Sequence, residues 1–236
     1  MFRNLFIKLK HWKPLRLCWF FKKKGWKIPK YLIGHPATIL TDNFNSYTDG
    51  DLNTQGTWSG DVDLDIQGTT YFNDGGTKAV QLTAVVEKYC SKTGTLTNDG
   101  QLVIYVNRTT DSNGVLSITL FEGASVRINC KCETDETLYT YYSGVWNSTG
   151  LTFSENVWFY IKIEWRSSDH TARFSIDGGT PTGWLATQGT WVNGIDTVRI
   201  GSNAGTAGTL YFDYIAEESY TPPTAGHDFT TLLGVT

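Results

Sequence analysis

The sequence predicts an all-β fold, a two-sheet antiparallel sandwich, behind a short basic N-terminal arm. Three observations carry this. From about Ala37 the apolar residues recur at every second position, the period of a half-buried strand. Gly, Asn and Asp turns separate these runs at the regular spacing of sandwiches and barrels. The composition suits many short strands and tight turns, with 24 Gly and 9 Trp, 12 Tyr and 12 Phe against a single Met. A chain of 236 residues can bury a full core in one domain.

The strands follow in order. Residues 79–87 alternate Val80, Leu82, Ala84 and Val86 against polar neighbours. Residues 101–108 place Leu102, Ile104 and Val106 on one face, and residues 115–122 are almost continuously apolar. Residues 125–132 and 137–142 come next. Residues 157–165 set Val157, Phe159, Ile161, Ile163 and Trp165 inward and Lys162 and Glu164 outward, so this strand should be among the most buried. Residues 171–176 pair with it, Asp177-Gly-Gly179 closes the next hairpin, and residues 197–200 and 209–216 end the domain. No helical period appears in this region. The tetrapeptide Gln-Gly-Thr-Trp, at 55–58 and 188–191, marks two similar turns rather than a repeat.

The arm is a different kind of sequence. Residues 1–30 hold ten basic side chains and no acidic one, whereas the remainder holds 10 basic against 23 acidic, a net of −13. Such an arm seeks an anionic partner that the acidic body avoids. Phe2, Leu5, Phe6, Leu9 and Trp12 have helical spacing until Pro14 stops it. Trp19 and Trp26 continue the aromatic content, and Lys22, Lys23 and Lys24 cluster between them. Aromatics of this number are not left in water, since burying one is worth about 1.5–3 kcal/mol. Phe2, Phe6, Trp12, Trp19 and Trp26 are therefore expected to dock in a protein groove, with Lys22, Lys23 and Lys24 meeting acidic groups at its rim. A membrane surface is the less favoured partner, because Pro14, Gly25 and Pro29 break up any long amphipathic helix. The expected organisation is 1–37 as arm and linker, 38–219 as the sandwich and 220–236 as an extended tail.

Other classes are set aside on composition. No stretch reaches the roughly 18–20 apolar residues of a membrane span. The arm makes a poor signal peptide, since lysines follow its short apolar runs at once. Cys18, Cys90, Cys130 and Cys132 lack metal-site spacing. Cys130 and Cys132 share the face of Val126 and Ile128 and should be small core residues. A bridge from Cys90 to either is left open.

Three segments resemble a known family. Asp42-Asn-Phe-Asn-Ser-Tyr-Thr-Asp-Gly50 with Trp58, the hairpin from Val157-Trp-Phe-Tyr-Ile-Lys-Ile-Glu-Trp165 to Phe174-Ser-Ile-Asp-Gly178, and Leu210-Tyr-Phe-Asp-Tyr-Ile-Ala216 resemble, in order and spacing, concanavalin A-like lectin/glucanase domains, including the laminin-G-like ones. The resemblance implies a jelly roll of the kind frequent in phage structural proteins, bacterial surface proteins and secreted glycan-active enzymes. It also implies a structural calcium, with Asp213 matching a last-strand ligand and Asp42 lying in the matching opening segment. The plainer alternative is that Asp213 bonds a neighbouring turn. The glucanase branch carries two glutamates at alternating positions of one strand, about 5 Å apart in retaining hydrolysis. Asp61-Val-Asp-Leu-Asp65 has the alternation but only aspartates, and Glu133, Asp135, Glu136, Glu155 and Glu164 lack the spacing. No enzyme is therefore expected.

Lectin-like sandwiches stack sugars on aromatic rings. Trp58, Tyr141, Tyr142, Trp146, Trp184 and Trp191 lie in or near loops. Of these, Trp58, Tyr142, Trp146, Trp184 and Trp191 are the candidate glycan platforms. The expected function is a structural or adhesive lectin-like protein, oligomeric in a larger assembly and displayed on a virion by an arm docked on a capsid or tail protein, and binding a surface glycan. The alternatives are an extracellular or cell-surface carbohydrate-binding module and an unusual glycosidase.

Overall fold

A computed structural model of the chain describes residues 40–70, 77–83, 87–109, 115–203 and 209–219. The docking residues expected in the arm, Phe2, Phe6, Trp12, Trp19, Trp26, Lys22, Lys23 and Lys24, the position of Cys18, and the tail expected at 220–236 lie outside the described residues. Among the described residues fifteen strands follow one another: β1 (Gly50–Asp51), β2 (Trp58–Gly60), β3 (Leu64–Gln67), β4 (Ala79–Thr83), β5 (Lys88–Thr97), β6 (Asp99–Arg108), β7 (Leu116–Glu122) and β8 (Ser125–Cys132). Then come β9 (Thr137–Tyr142), β10 (Val145–Thr152), β11 (Phe159–Arg166), β12 (Thr171–Ile176), β13 (Leu185–Ala186), β14 (Ile195–Ser202) and β15 (Thr209–Ser219). No helix occurs among the described residues. The strands form two antiparallel sheets, ordered β1-β3-β4-β15-β6-β11-β12-β13 and β10-β9-β8-β7-β14-β5-β2. Neighbours distant in sequence, such as β15 beside β6 and β14 beside β7, join the two ends of the domain to its middle. The fold is the expected two-sheet antiparallel sandwich.

The core lies between the sheets and follows the period of two. On β11, Phe159, Ile161, Ile163 and Trp165 are buried, and Ile163 and Trp165 stand opposite Leu102 and Gly100 of β6. From the other sheet come Leu116, Ile118 and Leu120 of β7 and Val198 and Ile200 of β14. Cys90, Cys130 and Cys132 are wholly buried free thiols, so the bridge left open by the sequence is not formed. Burial pushes the Cys90 and Cys130 thiols up to about 12 and Cys132 well above its ordinary value, which keeps all three protonated and unreactive near neutrality.

Several expectations change. Val157 is 54% exposed and precedes β11 rather than opening it. Glu164 points away from the core as expected, yet is buried, because Arg173 grips it through Nε at 2.7 Å and Nη2 at 3.0 Å. Strands β1, β2, β3, β5, β10 and β13 were not anticipated. The β9–β10 hairpin is closed by Ser143-Gly144, with φ of 54° and 81°, between the paired residues Tyr142 and Val145. Positive φ at both central residues is the two-residue turn whose twist matches antiparallel strands. Asn107, the acceptor of one N-glycosylation sequon, is buried and so shielded from modification.

Burial makes a contrast between two residues of the tryptophan-led segment. Trp165→Ala should cost about 3–5 kcal/mol in urea denaturation, as expected for a large core cavity. Val157→Ala should stay within about 0.5 kcal/mol of the parent. Equal losses would contradict the strand boundary at Phe159.

Candidate functional site: a staple at Asp42 and a polar groove across the seven-stranded sheet

Asp42 joins the two sheets. Its backbone exchanges two hydrogen bonds with Ile215 of β15, Asp42 N to Ile215 O at 2.8 Å and Ile215 N to Asp42 O at 2.7 Å. Its carboxylate reaches the other sheet. Oδ2 accepts from Lys92 Nζ of β5 at 2.8 Å, Trp58 Nε1 of β2 at 2.9 Å and Tyr47 Oη at 2.6 Å, while Oδ1 accepts from Phe44 N at 2.9 Å. Burial would raise the Asp42 carboxyl, but these bonds, Lys92 foremost, outweigh it and hold the group below the usual carboxylate range. Burial and the bond to Asp42 push the Tyr47 phenol up.

This chemistry does not fit the calcium that the resemblance implies. Calcium takes about six to eight oxygen ligands, whereas the Asp42 carboxylate is ringed by N–H and O–H donors and already faces an ammonium. Asp213 does not complete a site with it. Asp213 stands opposite Tyr105 of β6, just before a bulge in which Tyr214 takes φ 33°, and its Oδ1 accepts from Tyr214 N at 2.6 Å. Among the described residues no three His, Cys, Asp or Glu side chains converge as a metal site.

The outer face of the seven-stranded sheet is polar. Register places Ser91, Arg199, Thr119 and Asn129 in one row across β5, β14, β7 and β8. The next row runs Tyr89, Gly201, Ser117, Lys131 and Tyr139, reaching β9. Gly201 carries no side chain, and a Cβ there would lie 2.0 Å from the Lys88 carbonyl oxygen. The missing side chain leaves a small open depression of about 70 Å³ lined by Tyr89, Ser117, Thr119, Asn129 and Arg199, with Glu87 also contributing. Ser117 Oγ and Thr119 Oγ1 share Asn129 Oδ1, at 3.4 and 3.2 Å. With the oxygen so engaged, the Asn129 amide N–H groups are left to donate to a ligand.

The candidate platforms do not form one site. Trp58 and Trp191, which end the two Gln-Gly-Thr-Trp turns, are 2% and 5% exposed. Both belong to the core, with Nε1 spent on Asp42 and on Thr187 Oγ1 respectively, and neither can stack a sugar. Trp184 is half-buried with the Arg166 guanidinium 3.7 Å and that of Arg173 4.8 Å from its ring centre. Tyr142 is half-buried at the end of β9, paired with Val145. Trp146 has the best placement. It lies on β10 opposite Tyr141, edge-on at 5.1 Å, with Lys131 Nζ 4.2 Å over its ring. Lys131 also stands opposite Ser117, so Trp146 flanks the polar rows. Sequence reasoning missed Ser117, Thr119, Asn129, Arg199 and Gly201, whose only signal is that they are the outward members of alternating strands.

The acidic residues weighed for catalysis lie elsewhere. Asp63 pairs with Lys88 Nζ at 2.6 Å, and Asp61 accepts from Tyr89 N at 2.9 Å. Asp65 faces Asp51 across β3 and β1, and burial, then the Asp51 charge, raises its carboxyl. Glu164 and Glu155 are held by Arg173 and Arg108, and Glu133 by Lys131.

Lys92 supplies the cation at Asp42, so the melting temperature should not change on adding calcium or chelator. Lys92→Met should cost about 3–5 kcal/mol, the loss typical when one partner of a buried pair is removed. Because the folded Asp42 carboxyl is depressed, its contribution is complete above the unfolded value of about 4 and fades as pH falls through the lower folded value. A melting temperature lowered by chelator would contradict this account.

The sequence matches no protein-family model and no curated protein. Solved structures share the fold. A sialidase superposes with TM-score 0.61 at 8% identity, over 78% of this chain and 19% of its own. The carbohydrate esterase vb_24B_21 of the Shiga toxin-encoding bacteriophage phi24B superposes with TM-score 0.54 at 17% identity, over 78% of this chain and 99% of its own. The catalytic domain of a glycoside hydrolase family 131 protein from Coprinopsis cinerea gives TM-score 0.52 at 16% identity, over 78% and 96%. This chain thus spans less than a fifth of the sialidase and nearly all of the other two. At these identities the likeness is one of β-sandwich fold.

Proposed function

We propose that this chain is a non-enzymatic, lectin-like module of the concanavalin A-like kind. It binds glycan across the outer face of its seven-stranded sheet and is carried on a larger assembly, a virion, by its basic arm. The observation that supports it most is the groove over Gly201. Sugar hydroxyls both donate and accept, and the groove offers Ser117, Thr119 and the Asn129 amide side by side. Trp146 and Tyr141 stand beside these rows as apolar surface for a pyranose face. The superposed structures include proteins whose names describe action on carbohydrate, which agrees with a glycan ligand.

The non-catalytic part of the proposal has its own support. Retaining hydrolysis needs two carboxylates about 5 Å apart beside the scissile bond. The central strands β7, β8 and β14 instead present Ser117, Thr119, Asn129 and Arg199 to the groove. The anchoring part rests on the charge division of the chain, ten basic residues and no acidic one in residues 1–30, and on the aromatics interleaved with them.

Binding to an oligosaccharide array, followed by calorimetry on the best ligand, tests the reading. Asn129→Ala and Trp146→Ala should each weaken binding about tenfold, since each removes a contact worth roughly 1–2 kcal/mol. Deleting residues 1–30 should leave glycan affinity unchanged and abolish incorporation into the assembly. Full affinity in both substituted proteins would overturn the groove assignment, and normal incorporation without the arm would overturn the anchoring role.

A further inference from the structure

Arg199 differs from every other described arginine. Arg108 pairs with Glu155, Arg127 with Glu122 at 2.7 Å, Arg166 with Asp169 at 3.9 Å and Arg173 with Glu164 at 2.7 Å. No carboxylate lies within ion-pair distance of Arg199 among the described residues. Its guanidinium is nevertheless held in place. It lies 4.0 Å from the ring centre of Tyr89 and 4.4 Å from that of Phe121, and Nε donates to Ser91 Oγ at 3.3 Å. The stacking rings and the Ser91 bond fix the plane of the fork while leaving its two terminal nitrogens for a ligand. The surrounding body carries a net charge of −13, so acidic side chains are abundant, yet among the described residues none forms an ion pair with this group, and Glu87 shares the depression with it without pairing.

We infer that the groove selects an acidic glycan, one whose sugar ring bears a carboxylate that pairs with Arg199. This rests on the reading of the outer face as a glycan site and names its ligand class. A guanidinium matches a carboxylate with two parallel N–H···O bonds, a geometry that a lysine ammonium does not reproduce. Ser117, Thr119 and Asn129 then meet hydroxyls of the same chain, and the Glu87 carboxylate, which also lines the depression, accepts from hydroxyls and repels any further anionic group. The face therefore suits a polyhydroxylated ring with one anionic substituent better than a densely charged polyanion.

The test uses the full chain and matched probes: oligogalacturonate, alginate oligosaccharide and sialyllactose, each beside its carboxyl methyl ester, with neutral gluco-oligosaccharides and a heparin oligosaccharide as further arms. At least one free acid should bind about ten- to a hundredfold more tightly than its ester, the range for charge-assisted hydrogen bonds. Arg199→Met should bring the acid down to the ester's affinity and leave the ester unchanged. Arg199→Lys should recover only part of the difference. Unchanged melting curves confirm that both proteins are folded, and Thr119→Val gives a second groove variant that keeps the charge. Equal binding of acid and ester, preference for the heparin oligosaccharide, or equal loss of both ligands in Arg199→Met would overturn the inference. If only neutral probes bind, and Asn129→Ala weakens them, the acidic class fails while the groove stands. If no probe binds, both fail.

Discussion

One carboxylate, that of Asp42, connects parts of the sandwich that strand pairing alone leaves separate. Its backbone belongs to the eight-stranded sheet through Ile215, and its side chain belongs to the seven-stranded sheet through Trp58 and Lys92. A buried charge is tolerated only when paired and hydrogen-bonded. Here four donors meet two oxygens, and the cation is part of the chain. The opening segment is thereby fixed against the last strand, which seats Leu40, Phe44 and Leu52 in the core. The bulge at Tyr214 serves the same junction, shifting the register of β15 on β6 between Asp213 and Ile215, so that Ile215 is buried and pairs with Asp42.

A closed inner core leaves the outer face of the seven-stranded sheet to polar side chains, with Ser117 and Thr119 buried there and Arg199 stacked on Tyr89 and Phe121. Its side chains come from at least five strands and meet only because the register brings them level. That register depends on close approaches such as β5 against Gly201, where the Lys88 carbonyl leaves no room for a Cβ. The groove is thus a product of the strand order rather than of any loop. Rigid strands are also a better support for a binding surface than loop tips, because each side chain is positioned by two flanking ladders.

The legible part of the structure was the part with strict alternation. Strands β8, β9 and β12 were bounded in the sequence because their apolar members recur without interruption, and β6, β7 and β11 were placed to within a few residues. β5 was missed because an inward position is occupied by Lys92, and a lysine in the core row hides the period. The distant Asp42, with the Thr41 carbonyl beside it, makes that lysine acceptable there. β10 was missed because it is an edge strand whose residues are half-buried or exposed throughout. Val157 was assigned inward because the alternation runs two residues past the true start of β11. The aromatic candidates failed for a related reason: residue type marks a capacity to stack, but burial decides its use, and Trp58 and Trp191 are spent on packing and on bonds to Asp42 and Thr187. Ser117, Thr119, Asn129 and Arg199 carry no local signature, since they become a group only through pairings of β14 with β7 and of β7 with β8.

The central claim is that ligand lies across the outer face of the seven-stranded sheet. Backbone amide NMR of the labelled chain, titrated with the tightest oligosaccharide, tests it most directly, because it reports position without any substitution. The account predicts shift changes concentrated at Ser91, Ser117, Thr119, Asn129, Arg199 and Gly201, with the amides of β6, β11 and β12 unmoved. Changes centred on the eight-stranded sheet, or on the Trp184 segment beside Arg166 and Arg173, would contradict it.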